Sequence, residues 1–254
     1  MYGNDIGGKL ALVTGASTGI GAAVAKGLAG RGAAVAVHYN ASADAAAGVQ
    51  EEIAAAGGKA ILVQGDLTQP GVPARVVAEA AERLGGLDIL INNAGSLVRR
   101  VPFSEVDRTL IDQVFDLNVV SAIAACQAAI PFLEKRNGGA IVNVGSIAGM
   151  DGGGAGSMMY ASAKAFIHNL TRHLARDLAP RNIRVNTVSP GVIRTPFHDA
   201  TPPERMEAMR KAVHLGRIGE PEDCVGTFLY LVSPSMSGYI TGQNIHINGG
   251  QFMP

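Results

Sequence analysis

The sequence carries no excess charge of either sign: 21 Lys and Arg against 21 Asp and Glu leave a formal net charge of zero. That balance removes the electrostatic footprint expected of a chain that binds nucleic acid or an anionic membrane. It also leaves self-association unopposed by net repulsion. Cysteine is scarce. Cys126 and Cys224 are the two in 254 residues, far apart and each in an apolar helical pattern. This excludes a disulfide framework and fits reduced core residues of a cytosolic protein. The six histidines show no metal-ligand spacing, so no metal site is expected. The opening MYGNDIGGKLALVTG lacks a basic stretch followed by an apolar one, so no signal peptide is expected. The longest apolar run, about 119–133, is interrupted by Gln127 and Pro131 and is too short to span a bilayer. No composition break, repeat or low-complexity tail divides the chain. Residues 1–254 are therefore expected to form one domain of a soluble, cytoplasmic protein.

What is present is alternation. The apolar run at 10–13 reads as a strand buried on both faces. It leads into Thr14-Gly-Ala-Ser-Thr-Gly-Ile-Gly21 and then a helical pattern. Strand, glycine-rich turn and helix form the context of a dinucleotide site. Gly15 permits the tight turn, Gly19 lets the backbone approach a pyrophosphate, and Gly21 lets helix and strand pack closely. The helix N-terminus offers unpaired N–H groups to the phosphates. Further strands are expected at 34–39, 60–64, 87–92, 140–144, 184–188 and 244–247, with helices at 43–56, 70–84, 104–135, 160–178 and 221–231. A polar, Met-containing segment at 197–215 interrupts the rhythm. The expected fold is α/β, a doubly wound, mostly parallel seven-stranded sheet with helices on both faces. Ligands of such sheets lie outside the carboxyl ends of the strands. Thr14–Gly21, Asp66, Asn92–Gly95, Ser146 and Pro190–Thr195 all fall there.

Tyr160 and Lys164 are four residues apart, which on a helix places them on one face. A fixed ammonium beside a phenol favours the phenolate, lowering the pKa and suiting the tyrosine to general acid–base work near neutrality. Ser146, after the strand at 140–144, can offer a hydroxyl to the same oxygen. Tyr-x-x-x-Lys alone is a common pattern; its company at five strand ends gives it weight.

Taken together, Thr14–Gly21, Asp66, Asn92-Asn-Ala-Gly95, Asn118, Ser146, Tyr160-Ala-Ser-Ala-Lys164, Asn186 and Pro190-Gly191 resemble the short-chain dehydrogenase/reductase family, in its compact single-domain branch. The likeness covers nearly the whole chain, and its ending at 215–222 and 240–250 is similar to that of bacterial 3-oxoacyl-carrier-protein reductases. The resemblance implies a Rossmann-type fold and an NAD(P)-dependent enzyme interconverting a carbonyl and a secondary alcohol. It implies Tyr160 as acid or base, Lys164 lowering its pKa and holding the nicotinamide ribose, and Ser146 polarising the substrate oxygen. Asn118 would hold a water linking Lys164 to solvent. The cofactor set it implies is Gly15, Ser17, Thr18, Gly19, Ile20, Tyr39, Asn40, Ser42, Asp66, Leu67, Asn92, Ala94, Gly95, Tyr160, Lys164, Pro190, Gly191, Ile193 and Thr195. A homotetramer with no nucleic-acid or membrane partner is likewise implied. One departure stands out: Ser146 and Tyr160 are fourteen apart, one more than in many relatives. The extra residue falls to the glycine-rich stretch 152–156, which has the φ/ψ freedom to absorb it, with Ser157 as a second candidate for the hydroxyl.

No acid stands where Tyr39 ends the second strand, which removes a repulsion against a 2′-phosphate, and Asn40 and Ser42 can donate to one. NADP(H) is therefore favoured over NAD(H). Thr18, however, occupies a place where many NADP-preferring relatives carry a base. Substrate contacts are expected from Ser96, Ser146, Met150, Tyr160 and Phe197, with Leu97, Met159, His198 and Met206 as further wall candidates and a lid at about 195–215. Arg99-Arg100 reads either as a solvated pair or as a contact for an acidic carrier or a phosphate. A 3-oxoacyl (β-keto) reductase is the leading reading and a sugar or polyol dehydrogenase the alternative. A catalytically silent dinucleotide sensor has no need of Tyr160, Lys164, Ser146 and Asn118 together.

Overall fold

Strand alternation sorts the apolar residues onto two faces, and this explains most of the architecture. A computed structural model of the chain describes residues 4–254. Seven strands form one sheet: β1 (Leu10–Val13), β2 (Ala34–Tyr39), β3 (Lys59–Gln64), β4 (Ile89–Asn92), β5 (Gly139–Val144), β6 (Ile183–Pro190) and β7 (Asn244–Ile247). Their order is β3-β2-β1-β4-β5-β6-β7. Every paired strand is parallel, with Val13 opposite Val37 on one side and Ile91 on the other. The mostly parallel sheet expected from the sequence is thus parallel throughout the described residues. Each strand is joined to the next by a helical crossover, which leaves no place for a hairpin.

Ala11, Val13, Val35, Val37, Ile89, Ile91 and Val142 pack on one face with α1 (Gly19–Ala29), α2 (Ala43–Ala55) and α9 (Pro221–Val232), whose Leu28, Ile53 and Phe228 are fully buried. Leu12, Ala36, Leu90, Ile141 and Val185 pack on the other face with α3 (Val72–Leu84), α5 (Ser121–Lys135) and α7 (Met158–Leu178). The period of two in the strands meets the period of 3.6 in the helices on both sides.

Two stretches differ from the sequence reading. The long helix expected at 104–135 is α4 (Arg108–Phe115), a π-turn (Asp116–Val120) and α5, and Pro131 sits inside α5 without ending it. Arg108–Lys135 is 28 residues long and apolar enough, by length and composition, to cross a membrane. Leu110, Val114, Ala125, Ala129 and Leu133 instead bury its apolar stripe within the fold. The segment 197–215 also contains a helix, α8 (Pro203–Ala212), which buries none of its residues. A short helix, α6 (Ala148–Asp151), follows β5.

Candidate active site

The sheet order reverses between β1 and β4, and their carboxyl ends open a crevice there. Gly15 and Gly19 take φ of +60° and +57°, a region that Cβ-bearing residues rarely enter. The turn they make is held from three directions. The Gly15 N–H donates to His38 Nδ1 at 3.0 Å, and His38 Nε2 donates to the Gly65 carbonyl at 3.0 Å, which fixes the tautomer. Burial, aided by the Arg75 charge, holds this imidazole below its usual pKa and so neutral. Asn93 Nδ2 donates to the carbonyls of Thr14 and Gly15 at 2.9 Å each. Thr14 Oγ1 accepts from the Asn93 and Ala94 N–H groups. A Cβ on Gly15 would meet Ala94 Cα at 3.0 Å, and one on Gly19 would meet Thr195 Cγ2 at 3.0 Å. The turn is therefore bare backbone facing the crevice, with the first turn of α1 free of acids.

The crevice is a cavity of about 700 Å³ running from this turn to Phe197 and His198. Gly15, Ser17, Thr18, Gly19, Ile20, Asn40, Ser42, Asp66, Leu67, Ala94, Gly95, Pro190, Gly191, Ile193 and Thr195 line it, as do Ser96, Ser146, Tyr160 and Lys164. Among the expected residues Tyr39, Asn92, Met150 and Asn118 do not. Tyr39 follows Val35 and Val37 to the α1-side core, and the alternation of β2 presents His38 and Asn40 instead. Asn92 Nδ2 turns into the protein, donating to Asn143 Oδ1 at 2.9 Å and to Cys126 Sγ, and its neighbour Asn93 serves the turn. Met150 sits 42% exposed on α6 and is not on the cavity wall. Met159 belongs to a separate apolar cluster around Leu110 and Val114, and Met209 of α8, not Met206, reaches the cavity.

At the far end, α7 carries Tyr160 and Lys164 one turn apart. Lys164 is 4% exposed, and its Nζ donates to the Val144 carbonyl at 2.8 Å, 5.5 Å from the Tyr160 ring centroid. Burial pulls its pKa down to about 8. The Tyr160 hydroxyl is hydrogen-bonded to Ser146, and its pKa is pushed up to about 12, withdrawal from water outweighing that bond. The lowering expected from Lys164 is thus reversed: desolvation opposes charge on both partners, and the ammonium engages a carbonyl rather than the phenol. Ser146 Oγ also accepts from the Ala148 N–H at 3.1 Å. The glycine stretch before α7 takes positive φ at Gly152, Gly153 and Gly156, while Ser157 Oγ, the alternative hydroxyl, donates to the Gly154 carbonyl.

Asn118 lies behind this pair, on the π-turn. Its Nδ2 donates to the carbonyls of Ser96 and Val114 at 2.8 Å, and its buried Oδ1 has no partner. A Cβ on Gly95 would meet that Oδ1 at 2.6 Å and Lys164 Nζ at 3.2 Å, so the two atoms approach the same point over a glycine. Bare glycines at one end, an unpartnered amide oxygen near an ammonium at the other, and an elongated cavity between them fit a dinucleotide with a small reactant beside it. No cluster of metal-ligating side chains occurs among the described residues.

Comparison with known proteins decides the class. A family model described as enoyl-(acyl carrier protein) reductase matches residues 15–251. The 3-oxoacyl-[acyl-carrier-protein] reductase FabG of Staphylococcus aureus is 38% identical over 96% of this chain and 98% of its own. The chain belongs to the short-chain dehydrogenase/reductase family. Two solved structures of this family superpose closely. A 3-oxoacyl (acyl-carrier-protein) reductase from Agrobacterium tumefaciens with NADP bound is 34% identical with a TM-score of 0.91, covering 98% of this chain and 97% of that one. An NADH-dependent reductase responsible for alginate metabolism is 34% identical with a TM-score of 0.90, covering 99% and 100%. As a short-chain dehydrogenase/reductase, the protein is an NAD(P)-dependent oxidoreductase.

This short-chain dehydrogenase/reductase has site residues that sequence reasoning missed: His38, Asn93 and Met209; of the Arg99-Arg100 pair offered as a contact for an anion, Arg100 lines the cavity and Arg99 does not. For Asn93 a signal was present in the Asn-Asn pair, but choosing its member required the exact end of β4. His38 had none, because its partners Gly15 and Gly65 lie 23 and 27 residues away.

Proposed function

We propose that the protein is a carbonyl reductase most like the 3-oxoacyl (β-keto) reductases, acting on a small carbonyl compound with NADP(H) in preference to NAD(H). The observation that carries this reading is the convergence of Tyr160, Ser146 and Lys164 on the wall of the cavity that begins at the Gly15 turn, with Asn118 behind them. The dinucleotide, when bound, supplies the hydride. Gly15, Ser17, Thr18, Gly19 and Ile20 would hold its diphosphate, Asp66 and Leu67 its adenine, Ala94 and Gly95 its ribose, and Pro190 to Thr195 its nicotinamide end. Ser146 holds the substrate oxygen, and Tyr160 gives that oxygen its phenolic proton. A phenol held near 12 is protonated at neutral pH and ready to act as the acid of reduction. The proton is then replaced through Lys164 and a water on Asn118 Oδ1, the acceptor without a protein partner. The preference for NADP(H) is supported by Asn40 and Ser42 on the cavity wall with no acid at the end of β2, and by the NADP-bound relative. Residues 195–215, carrying α8 and Phe197, act as the substrate lid of a single catalytic domain.

The test is oxidation of NADPH, with NADH in parallel, using ethyl acetoacetate as acceptor. Turnover is expected, faster with NADPH. Silence with both, and with NAD(P)+ offered sugars and polyols, would sink the reductase reading. A pH profile adds a second check. Lys164 keeps its ammonium below about pH 8 and loses it above. The kcat/KM for NADPH, which reports groups of the free enzyme, should therefore fall as pH rises through about 8. A profile flat to about pH 10 would remove Lys164 from the mechanism. The protein is further proposed to act in the cytoplasm as a homotetramer; light scattering after size exclusion should give four chain masses, and a monomer counts against it.

A further inference from the structure

Beyond Tyr160, Arg100 on the cavity wall and Arg205 just off it carry positive charge, and Asp199 acts on the neighbouring His198 without pairing with either arginine. Arg100 lines the cavity, and its Nη1 donates to the Ala155 carbonyl at 3.1 Å. Arg205, on α8, reaches the same carbonyl through Nη2 at 3.3 Å. Two guanidiniums thus converge on one neutral oxygen, from the loop after β4 and from the lid. Among the described residues neither forms an ion pair, whereas Arg99, next to Arg100, pairs with Asp107 on the outside. Each guanidinium has five N–H donors and uses one on the protein. His198 joins them on the wall. It feels the charge of both arginines, and its ring lies 5.1 Å from Phe197, which in turn lies 5.4 Å from Tyr160. Asp151, the acid on this part of the wall, turns a carboxylate oxygen to the Gly153 N–H and pairs with neither arginine.

The backbone that delivers Arg100 is unusual. Val98, two residues earlier, has φ of +64°, a conformation that β-branched residues rarely adopt, and its N–H donates to Ser96 Oγ. Strain of this kind persists where the surroundings over-determine it, and it marks functional loops. Like charges brought together without a counter-ion are costly unless a ligand supplies one. Guanidinium forks match planar or tetrahedral oxyanions.

We infer that Arg100 and Arg205, with His198, form a receptor for an anionic group on the substrate, so that the enzyme reduces a small carbonyl compound bearing a carboxylate or phosphate. This rests on the carbonyl-reductase reading and narrows its substrate class. It distinguishes Arg100, inside the cavity, from Arg99, paired outside it.

The test compares kcat/KM within two acceptor pairs: 4-oxopentanoate against its methyl ester, and dihydroxyacetone phosphate against dihydroxyacetone. The wild type should favour the charged member of one pair by at least about tenfold, the expected scale of a charged hydrogen bond. The carboxylate or the phosphate pair will respond, which tells the two sources apart. Arg100→Met and Arg205→Met should each bring that ratio close to one. Ratios near one in the wild type for both pairs would overturn the inference. So would ratios unchanged in both variants, because arginines that only pin the Ala155 loop lower both rates together. If no acceptor in either pair is reduced, the reductase reading is judged by turnover of ethyl acetoacetate and the anion site by thermal melting. A rise in Tm with 4-oxopentanoate or dihydroxyacetone phosphate that both variants lose upholds the site; no rise refutes it.

Discussion

Tyr160→Phe is expected to lower kcat by about 10³-fold or more while the dinucleotide still binds, because the change removes one oxygen and little else. General acid–base groups contribute about 10²–10⁴-fold. The ring keeps its contacts, lying 5.4 Å from Phe197 and 5.5 Å from Lys164 Nζ, so the wall of the cavity is preserved. What disappears is the hydroxyl bonded to Ser146 and the proton it carries. Ser146 and Lys164 cannot stand in for it. The serine hydroxyl is a far weaker acid, and Lys164 is tied to the Val144 carbonyl. NADPH fluorescence titration should give affinities for variant and wild type within about threefold, a difference below 1 kcal/mol. A variant retaining a tenth of wild-type turnover would remove Tyr160 from the proton-transfer step.

Gly21→Ala should break the dinucleotide end of the cavity as thoroughly as Tyr160→Phe breaks the chemical end. An added Cβ would lie 2.3 Å from the Gly15 carbonyl oxygen, 2.5 Å from Asn93 Nδ2 and 3.0 Å from Ala16 Cα. None of these atoms is the free end of a flexible side chain. The Gly15 oxygen is held by Asn93, and Asn93 also holds the Thr14 carbonyl. One methyl must therefore displace the turn itself. Overpacking of this kind costs about 1–3 kcal/mol. Because the displaced backbone is the phosphate-facing turn, NADPH affinity should fall by about 10–100-fold and Tm should drop. Gly48→Ala is the matching control. Its Cβ would meet nothing within 4 Å, and it lies inside α2, where Ala is favoured by about 0.5–1 kcal/mol. Equal affinities in G21A and wild type would contradict this account of the turn.

The sequence revealed most where the informative residues are close together in it. The glycine turn, the Tyr160–Lys164 step and the buried strands are each written within a few residues. Their physical signatures are a tight turn, a helical repeat and a continuous apolar run. Errors arose where one residue of register decides the direction of a side chain. Tyr39 and Asn92 were each one position from residues that face the cavity or the turn, His38 and Asn40 in one case and Asn93 in the other. In a strand that single step moves a side chain from one face to the other. The helix α8 left no trace because it buries none of its residues, and without an apolar stripe there is no period to detect. The approach of Arg100 to Arg205 joins a loop and a helix that only the folded sheet brings together.

The π-turn at Asp116–Val120 has a consequence for how this chain can change in length. It holds one residue more than an α-helix would use. That surplus keeps two stretches in phase: Leu110 and Val114 before it, and Ala122, Ala125, Ala129 and Leu133 after it, all buried. Each residue of an α-helix advances about 100° around the axis. Winding all five of these residues as ordinary α-helix would turn the two stretches about 100° out of phase, whereas deleting one of them would restore ordinary winding with the stretches still aligned. A one-residue deletion would therefore spare the apolar stripe of α5 but remove the turn from which Asn118 reaches the Ser96 carbonyl. The packing of this helix can lose the surplus residue; the placement of Asn118 cannot.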